Sequence, residues 1–196
     1  MSHDNKPFIE GQFNLLDQLN ENTMGTIKYV VADVRTHQDE RSENKTILIP
    51  HCCNDLGVMG AGVAKALKDM WPAVFYSYES MPMDLGKAGF VPVEYDSFDD
   101  VTKFVVNMIG QTNVRGNGND KPVRYAALLD AMREIVQYIN LFKIENPIIH
   151  TIKFGSDLAG GDWRVIEPLI EEILLPHMDV TICVLDKDDI PVWRRN

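Results

Sequence analysis

The chain has 196 residues, of which 45% are hydrophobic and 24% charged. That length suits one domain with a core of useful size, and the composition excludes a disordered chain, collagen and a disulfide-stapled miniprotein. Twenty-nine acidic residues against 19 basic ones leave a net charge of −10, which argues against non-specific nucleic-acid binding but leaves room for a small dinucleotide-like ligand held by backbone amides.

Residues 1–22 are polar and acidic, with neither a basic leader nor an apolar run, so no signal peptide is expected. Within them Phe13, Leu15, Leu16 and Leu19 either line a short helix docked on the body or belong to a loose tail. The domain proper is set at residues 26–196, with 1–25 as an extension. Residues 26–35 (TIKYVVADVR) are rich in Val, Ile and Tyr and predict a strand. Residues 37–45 form a charged loop, and 46–53 (TILIPHCC) a short apolar strand that runs into a glycine-containing turn. The stretch 62–70 predicts a helix. Pro72 ends or kinks it, and 75–78 continue as a second piece. Strands are expected over 90–95 and 103–110, and a loop over 113–121. Residues 124–142 carry the clearest helical stripe: Tyr125, Leu128, Leu129, Met132, Ile135, Val136, Ile139 and Phe142, read as core. A strand over 148–154, a helix over 163–175 with Pro168 in its first turns, and a strand over 180–185 complete the chain. No apolar run approaches the roughly 18 residues of a membrane span. The alternation of elements predicts an α/β sandwich with a sheet between helical layers.

The three cysteines, Cys52, Cys53 and Cys183, are odd in number and two are adjacent. They define no disulfide framework, so a reducing, cytoplasmic compartment is inferred. Zinc-type CxxC spacing is missing, and the thiols read as small buried hydrophobes. No metal and no redox cofactor is implied.

Two turns carry the candidate chemistry. The cluster Asn54-Asp-Leu-Gly57-Val-Met-Gly60-Ala-Gly62-Val-Ala lies between a strand and a helix, where amides and the helix dipole favour an anion. A dinucleotide fingerprint from Gly60 needs glycine at position 65, where Lys65 stands. A Walker A loop from Gly57 needs lysine after Gly62, where Val63 stands. By spacing alone the cluster is equally a phosphate cradle or a tight crossing. The second turn, Gly155-Ser-Asp-Leu-Ala-Gly160-Gly161-Asp162-Trp163, also leads into a helix, with Asp162 as N-cap. Two such turns at the carboxyl ends of strands suit a diphosphate flanked by two riboses.

Asp33 at the end of the first strand, His51-Cys-Cys-Asn54, Gly57 through Ala64, Arg124-Tyr125 and the Gly155–Trp163 turn together resemble the macrodomain family, the ADP-ribose-binding fold, over residues 26–185. The resemblance implies an α/β fold, a three-layer α/β/α sandwich around a mixed six-stranded sheet. It implies that Asp33 accepts a hydrogen bond from the adenine amino group and that Asn54 holds the distal ribose. Gly60, Ala61, Gly62 and Val63 would close over the distal ribose and diphosphate, and Ser156, Leu158, Ala159 and Gly160 would wrap the phosphates. Asp33 as a turn cap and Asn54 as a satisfier of loop backbone remain open alternatives.

Within the family the chain looks nearest to the branch with terminal ADP-ribose protein glycohydrolases, DNA ADP-ribose glycohydrolases and yeast-type ADP-ribose 1''-phosphate phosphatases. Gln111 stands where the glycohydrolases carry a lysine, and Ala159 where the protein glycohydrolases carry an aspartate, which disfavours that chemistry. His51, three residues before Asn54, matches the phosphatases and is assigned as acid, base or nucleophile; taken without the family, a histidine after a strand is usually structural. Asp157 is either a further acid/base or an outward-facing loop residue. The implied activity is removal of the terminal phosphate of ADP-ribose 1''-phosphate at His51, Asn54 and Asp157. The rivals are a non-catalytic ADP-ribose reader and an ADP-ribosyl hydrolase acting on modified protein or nucleic acid. The implied partner is a small molecule, ADP-ribose or its 1''-phosphate, with neither a nucleic-acid polymer nor a membrane.

Overall fold

The computed structural model describes residues 24–38, 40–96, 100–116 and 118–195; the helix or tail expected over 13–19 lies outside them. Two central strands, β2 (Thr46–Asn54) and β4 (Val101–Gln111), are buried along most of their length. Such continuous apolar runs arise where a parallel sheet is covered on both faces. Four more strands complete the sheet: β1 (Ile27–Val31), β3 (Ala88–Tyr95), β5 (Pro147–Thr151) and β6 (Asp179–Val184). The order is β1-β6-β5-β2-β4-β3. All neighbours are parallel except β3 and β4, so the carboxyl ends of β1, β2, β4, β5 and β6 share one edge.

Side chains alternate between the faces of this sheet. Leu48, Val106, Met108, Ile149, Val180 and Ile182 pack under α3 (Tyr125–Leu141) and α4 (Trp163–Ile173). Ile47, Ile49, Val105, Ile109 and Cys183 pack under α1 (Gly62–Met70) and α2 (Pro72–Ser80), against Leu67, Val74 and Tyr78. The result is the expected three-layer sandwich with a mixed six-stranded sheet.

Several boundaries differ from the sequence reading for local reasons. β1 stops at Val31, because the Asp33 carboxylate accepts the Arg35 amide at 3.0 Å and the Asp33 carbonyl accepts those of Thr36 and His37. Such side-chain-to-backbone bonds turn the chain out of a ladder. β5 ends at Thr151 rather than at 154. Pro72 opens α2, since a helix's first residue needs no N–H acceptor. Pro168 sits on the exposed side of α4 and leaves it unbroken. Of the α3 stripe, Phe142 falls just past the helix and is 59% exposed. None of the three cysteines is joined to another in a disulfide; Cys53 and Cys183 are buried and Cys52 half-buried. No helix among the described residues is long and apolar enough to cross a membrane.

Candidate functional site

The site forms where the parallel strands end. Asn54 closes β2, and its side chain is spent on the turn that follows. Its Oδ1 accepts from the amides of Leu56 (3.0 Å) and Val58 (3.2 Å) and from the Tyr78 hydroxyl (3.0 Å), and its Nδ2 donates to the Val58 carbonyl at 2.7 Å. Asn54 therefore pins the first turn, the loop-backbone alternative, and offers the distal ribose no idle acceptor. Tyr78 also donates to the Asn54 carbonyl. Sequence reasoning missed this tyrosine, since nothing in its own stretch marks a residue that reaches another turn. Past the pinned loop, Gly60, Ala61 and Gly62 are exposed and Val63 is half-buried. Ala61 is the N-cap of α1 and supplies no side-chain cap. The amides of Gly62, Val63 and Ala64 have no acceptor within the helix, as at any helix start.

The second turn is shaped by glycines in the left-handed region, Gly155 (φ +73°) and Gly160 (φ +70°). Gly161 N bonds to Gly155 O at 2.9 Å, Gly160 N to Asp157 O at 3.0 Å, and Val123 N to Ala159 O at 3.1 Å. The amides of Asp157, Leu158 and Ala159 donate to no protein group among the described residues. Ala159 turns its methyl into the core, whereas Asp157 and Leu158 are exposed and Ser156 is half-buried, its hydroxyl bonded to Lys153 O at 2.6 Å. Asp162 caps α4 as expected, accepting from the Arg164 amide at 2.9 Å. The two turns meet: a Cβ on Gly62 would lie 3.3 Å from Leu158 Cδ1. Gly160 also abuts the 112–121 loop, where an added Cβ would sit 2.6 Å from the Asp120 carbonyl oxygen. Gly160→Ala should lower unfolding stability by about 2 kcal/mol, from left-handed strain plus the clash. Gly118→Ala, with φ +83° but open space around it, should cost only about 1 kcal/mol. Equal losses in urea melts would show that the contact with Asp120 is irrelevant.

Asp33 stands at the same edge, half-buried, where β1 ends. Arg35 donates from Nε to Oδ1 (3.0 Å) and from Nη2 to Oδ2 (2.5 Å). These bonds hold the carboxyl below the usual carboxylate range. Arg35 Nε also reaches Oδ2 at 3.1 Å, so Arg35 alone engages the roughly four lone-pair sites of the ionised carboxylate, and Asp33 caps a turn, as the alternative reading had it.

His51 departs from its assigned place. Strand alternation sends it, with Ile47, Ile49 and Cys53, into the layer under α2, and it has 0% exposure. Nε2 lies 2.7 Å from Asn107 Oδ1, and Asn107 in turn donates to the Val74 carbonyl at 3.0 Å. Burial pulls its pKa down to about 4, so the ring is neutral. The expected contact with a reacting phosphate is therefore corrected: the ring is enclosed in the core behind the first turn. Gln111 lies beside Asn54 in the β2–β4 register, bonded to Cys52 Sγ and the Asn113 carbonyl. Asp55, also missed, accepts the Asn113 amide at 2.6 Å and ties the 112–121 loop to the first turn. The site thus brings together Asn54, residues 60–63 and residues 156–160, with Asp33 on the same edge and His51 set apart.

No family model matches the chain. A solved protein of unknown function from Bacteroides thetaiotaomicron is 29% identical, with a TM-score of 0.68, over 81% of this chain and 98% of that one. A macrodomain protein from Streptomyces coelicolor is 30% identical, with a TM-score of 0.64, over 81% of this chain and 98% of its own. Among curated proteins, the ADP-ribose 1''-phosphate phosphatase of Lodderomyces elongisporus is 22% identical over 170 residues, 82% of this chain and 99% of the relative.

Proposed function

Because this chain belongs to the macrodomain family, we propose that it binds ADP-ribose in the crevice between residues 60–63 and 156–160. The observation that carries this reading is the meeting of two turns in which the amides of residues 62–64 have no acceptor within their helix and those of 157–159 donate to no protein group among the described residues. Fixed amides and the start of α1 offer a diphosphate partial positive charge without basic side chains, which fits a chain of net charge −10. Adenine would reach Asp33 by taking over a carboxylate position that Arg35 now holds, and the distal ribose would lie over the loop pinned by Asn54. The odd count of three cysteines, two of them adjacent in sequence, supports a reducing, cytoplasmic site of action.

Calorimetry with ADP-ribose tests this. The ligand should bind and raise the melting temperature by mass action. Asp33→Ala should weaken binding about tenfold, within the range for a hydrogen bond to a charged group. Unchanged affinity in that variant would move adenine away from Asp33.

A second reading, hydrolysis of ADP-ribose 1''-phosphate to ADP-ribose and phosphate, is favoured by the name and full-length match of the yeast relative. In it, water attacks phosphorus and the bond to the ribose 1''-oxygen breaks. The base cannot be the enclosed His51, and the exposed Asp157 at the tip of the second turn takes its place. Release of phosphate from ADP-ribose 1''-phosphate supports this reading. Release of ADP-ribose from modified protein or DNA identifies a hydrolase instead, and binding without either product identifies a reader.

A further inference from the structure

Residues 186–195, after β6, form an arm folded as two 3₁₀ turns, Lys187–Asp189 and Val192–Arg194. Asp186 caps the first, accepting the Asp188 amide at 2.9 Å. Arg195 closes the arm by donating to the carbonyls of Ile190 (2.7 Å) and Asp188 (2.5 Å). Its far end is bound to α4. Glu167 there is only 2% exposed, and it accepts from Trp193 Nε1 and from Arg194 Nε, each at 2.8 Å. Arg194 also pairs with Glu171. A buried carboxylate is costly without such donors, so these bonds hold the arm to the body.

Both ends of the second turn lead to this arm. At the start, Lys153 Nζ donates to the Asp189 carbonyl at 2.8 Å, while the carbonyl of Lys153 itself receives the Ser156 hydroxyl. At the end, Trp163 Nε1 donates to the Tyr29 hydroxyl at 2.7 Å, which donates to Glu167 Oε1 at 2.8 Å. That same oxygen receives Arg194 Nε. The turn is suspended between two points, each tied to residues 186–195. Resting on the ADP-ribose reading of that turn, we propose that the C-terminal arm positions it for the ligand's diphosphate, with Lys153 as the positioning residue that joins the two. Coupling of this kind is reciprocal: a ligand held by the turn tightens the arm on the body, and a docked arm strengthens ligand binding.

Lys153→Met keeps the aliphatic stem and removes the donor. By calorimetry its affinity for ADP-ribose should fall about tenfold, a common size for coupling between sites. Its affinity for adenosine, which has no phosphate for the turn, should be unchanged by NMR titration, as should its ligand-free melting temperature. Lys153→Arg, which can still reach the Asp189 carbonyl, should restore binding. In the parent, ADP-ribose should slow amide hydrogen exchange across residues 187–195, and adenosine should not. Parent-like ADP-ribose binding in Lys153→Met, or equal weakening of both ligands, overturns the proposal. If the parent itself fails to bind ADP-ribose, the reading of the turn falls and the brace with it; if the parent binds and Lys153→Met matches it, only the brace falls.

Discussion

Asp157→Asn should slow phosphate release from ADP-ribose 1''-phosphate by about 10²–10⁴-fold, the usual contribution of a positioned acid–base group. It should leave ADP-ribose affinity nearly unchanged or slightly improved. The asparagine keeps the shape of the turn tip but cannot take a proton from water. Asp157 is the ionisable side chain of residues 155–161, it is exposed, and it adjoins the unengaged amides of Leu158 and Ala159. A carboxylate beside a diphosphate opposes binding by like-charge repulsion, so losing the charge should help the product while hurting turnover. That opposite movement of affinity and rate separates a catalytic group from a turn residue. Parent-like turnover in Asp157→Asn would return Asp157 to an outward-facing loop position.

The fold was largely legible because its signals are local and repeated. Val- and Ile-rich runs alternating with a helical stripe over residues 124–142 required a sheet between helical layers, and the glycine turns marked where strands pass into helices. The boundaries at Asp33 and Thr151 were less legible, because each strand gives way to turn bonds that a propensity pattern does not encode, at Asp33 those to Arg35, Thr36 and His37 and after Thr151 that of the Phe154 amide to the Ile152 carbonyl at 2.7 Å. Within the site, the meeting of the two glycine turns follows from the backbone: Gly62 of the first lies against Leu158 of the second. For Asn54 and Asp33 two roles stood open in the sequence, because side-chain use depends on partners distant in sequence or competing locally. Asn54 is shared with Tyr78, 24 residues away, and Asp33 is occupied by Arg35. His51 failed for a different reason. Spacing to Asn54 was read along the chain, whereas a strand points successive side chains to opposite faces, and the register shifts between Cys53 and Asn54. The parity shared with Ile47 and Ile49 was the better guide.

The ring of His51 should titrate near pH 4 by NMR, and the protein should lose about 3 kcal/mol of stability from this one group as pH falls from 6.5 to 4. The sign follows from proton uptake. The unfolded imidazole has a pKa of about 6.5, whereas burial holds the folded one at about 4 despite the hydrogen bond to Asn107. Above the unfolded value both states are neutral and pH has no effect through this group. Between the two values the unfolded chain binds a proton that the folded chain refuses, so stability drops as pH drops. Below pH 4 both states are protonated and the loss is complete. His51→Leu removes the titration but leaves Asn107 Oδ1 without its ring partner, a cost of about 1–3 kcal/mol at neutral pH. The variant should therefore be less stable than the parent at pH 7, and the gap should narrow by about 3 kcal/mol, or reverse, by pH 4. Phosphate release per folded molecule should be unchanged, because the ring does not reach the crevice. A pKa near 6.5, with a 10²–10⁴-fold fall in turnover for His51→Leu, would instead restore the histidine to catalysis.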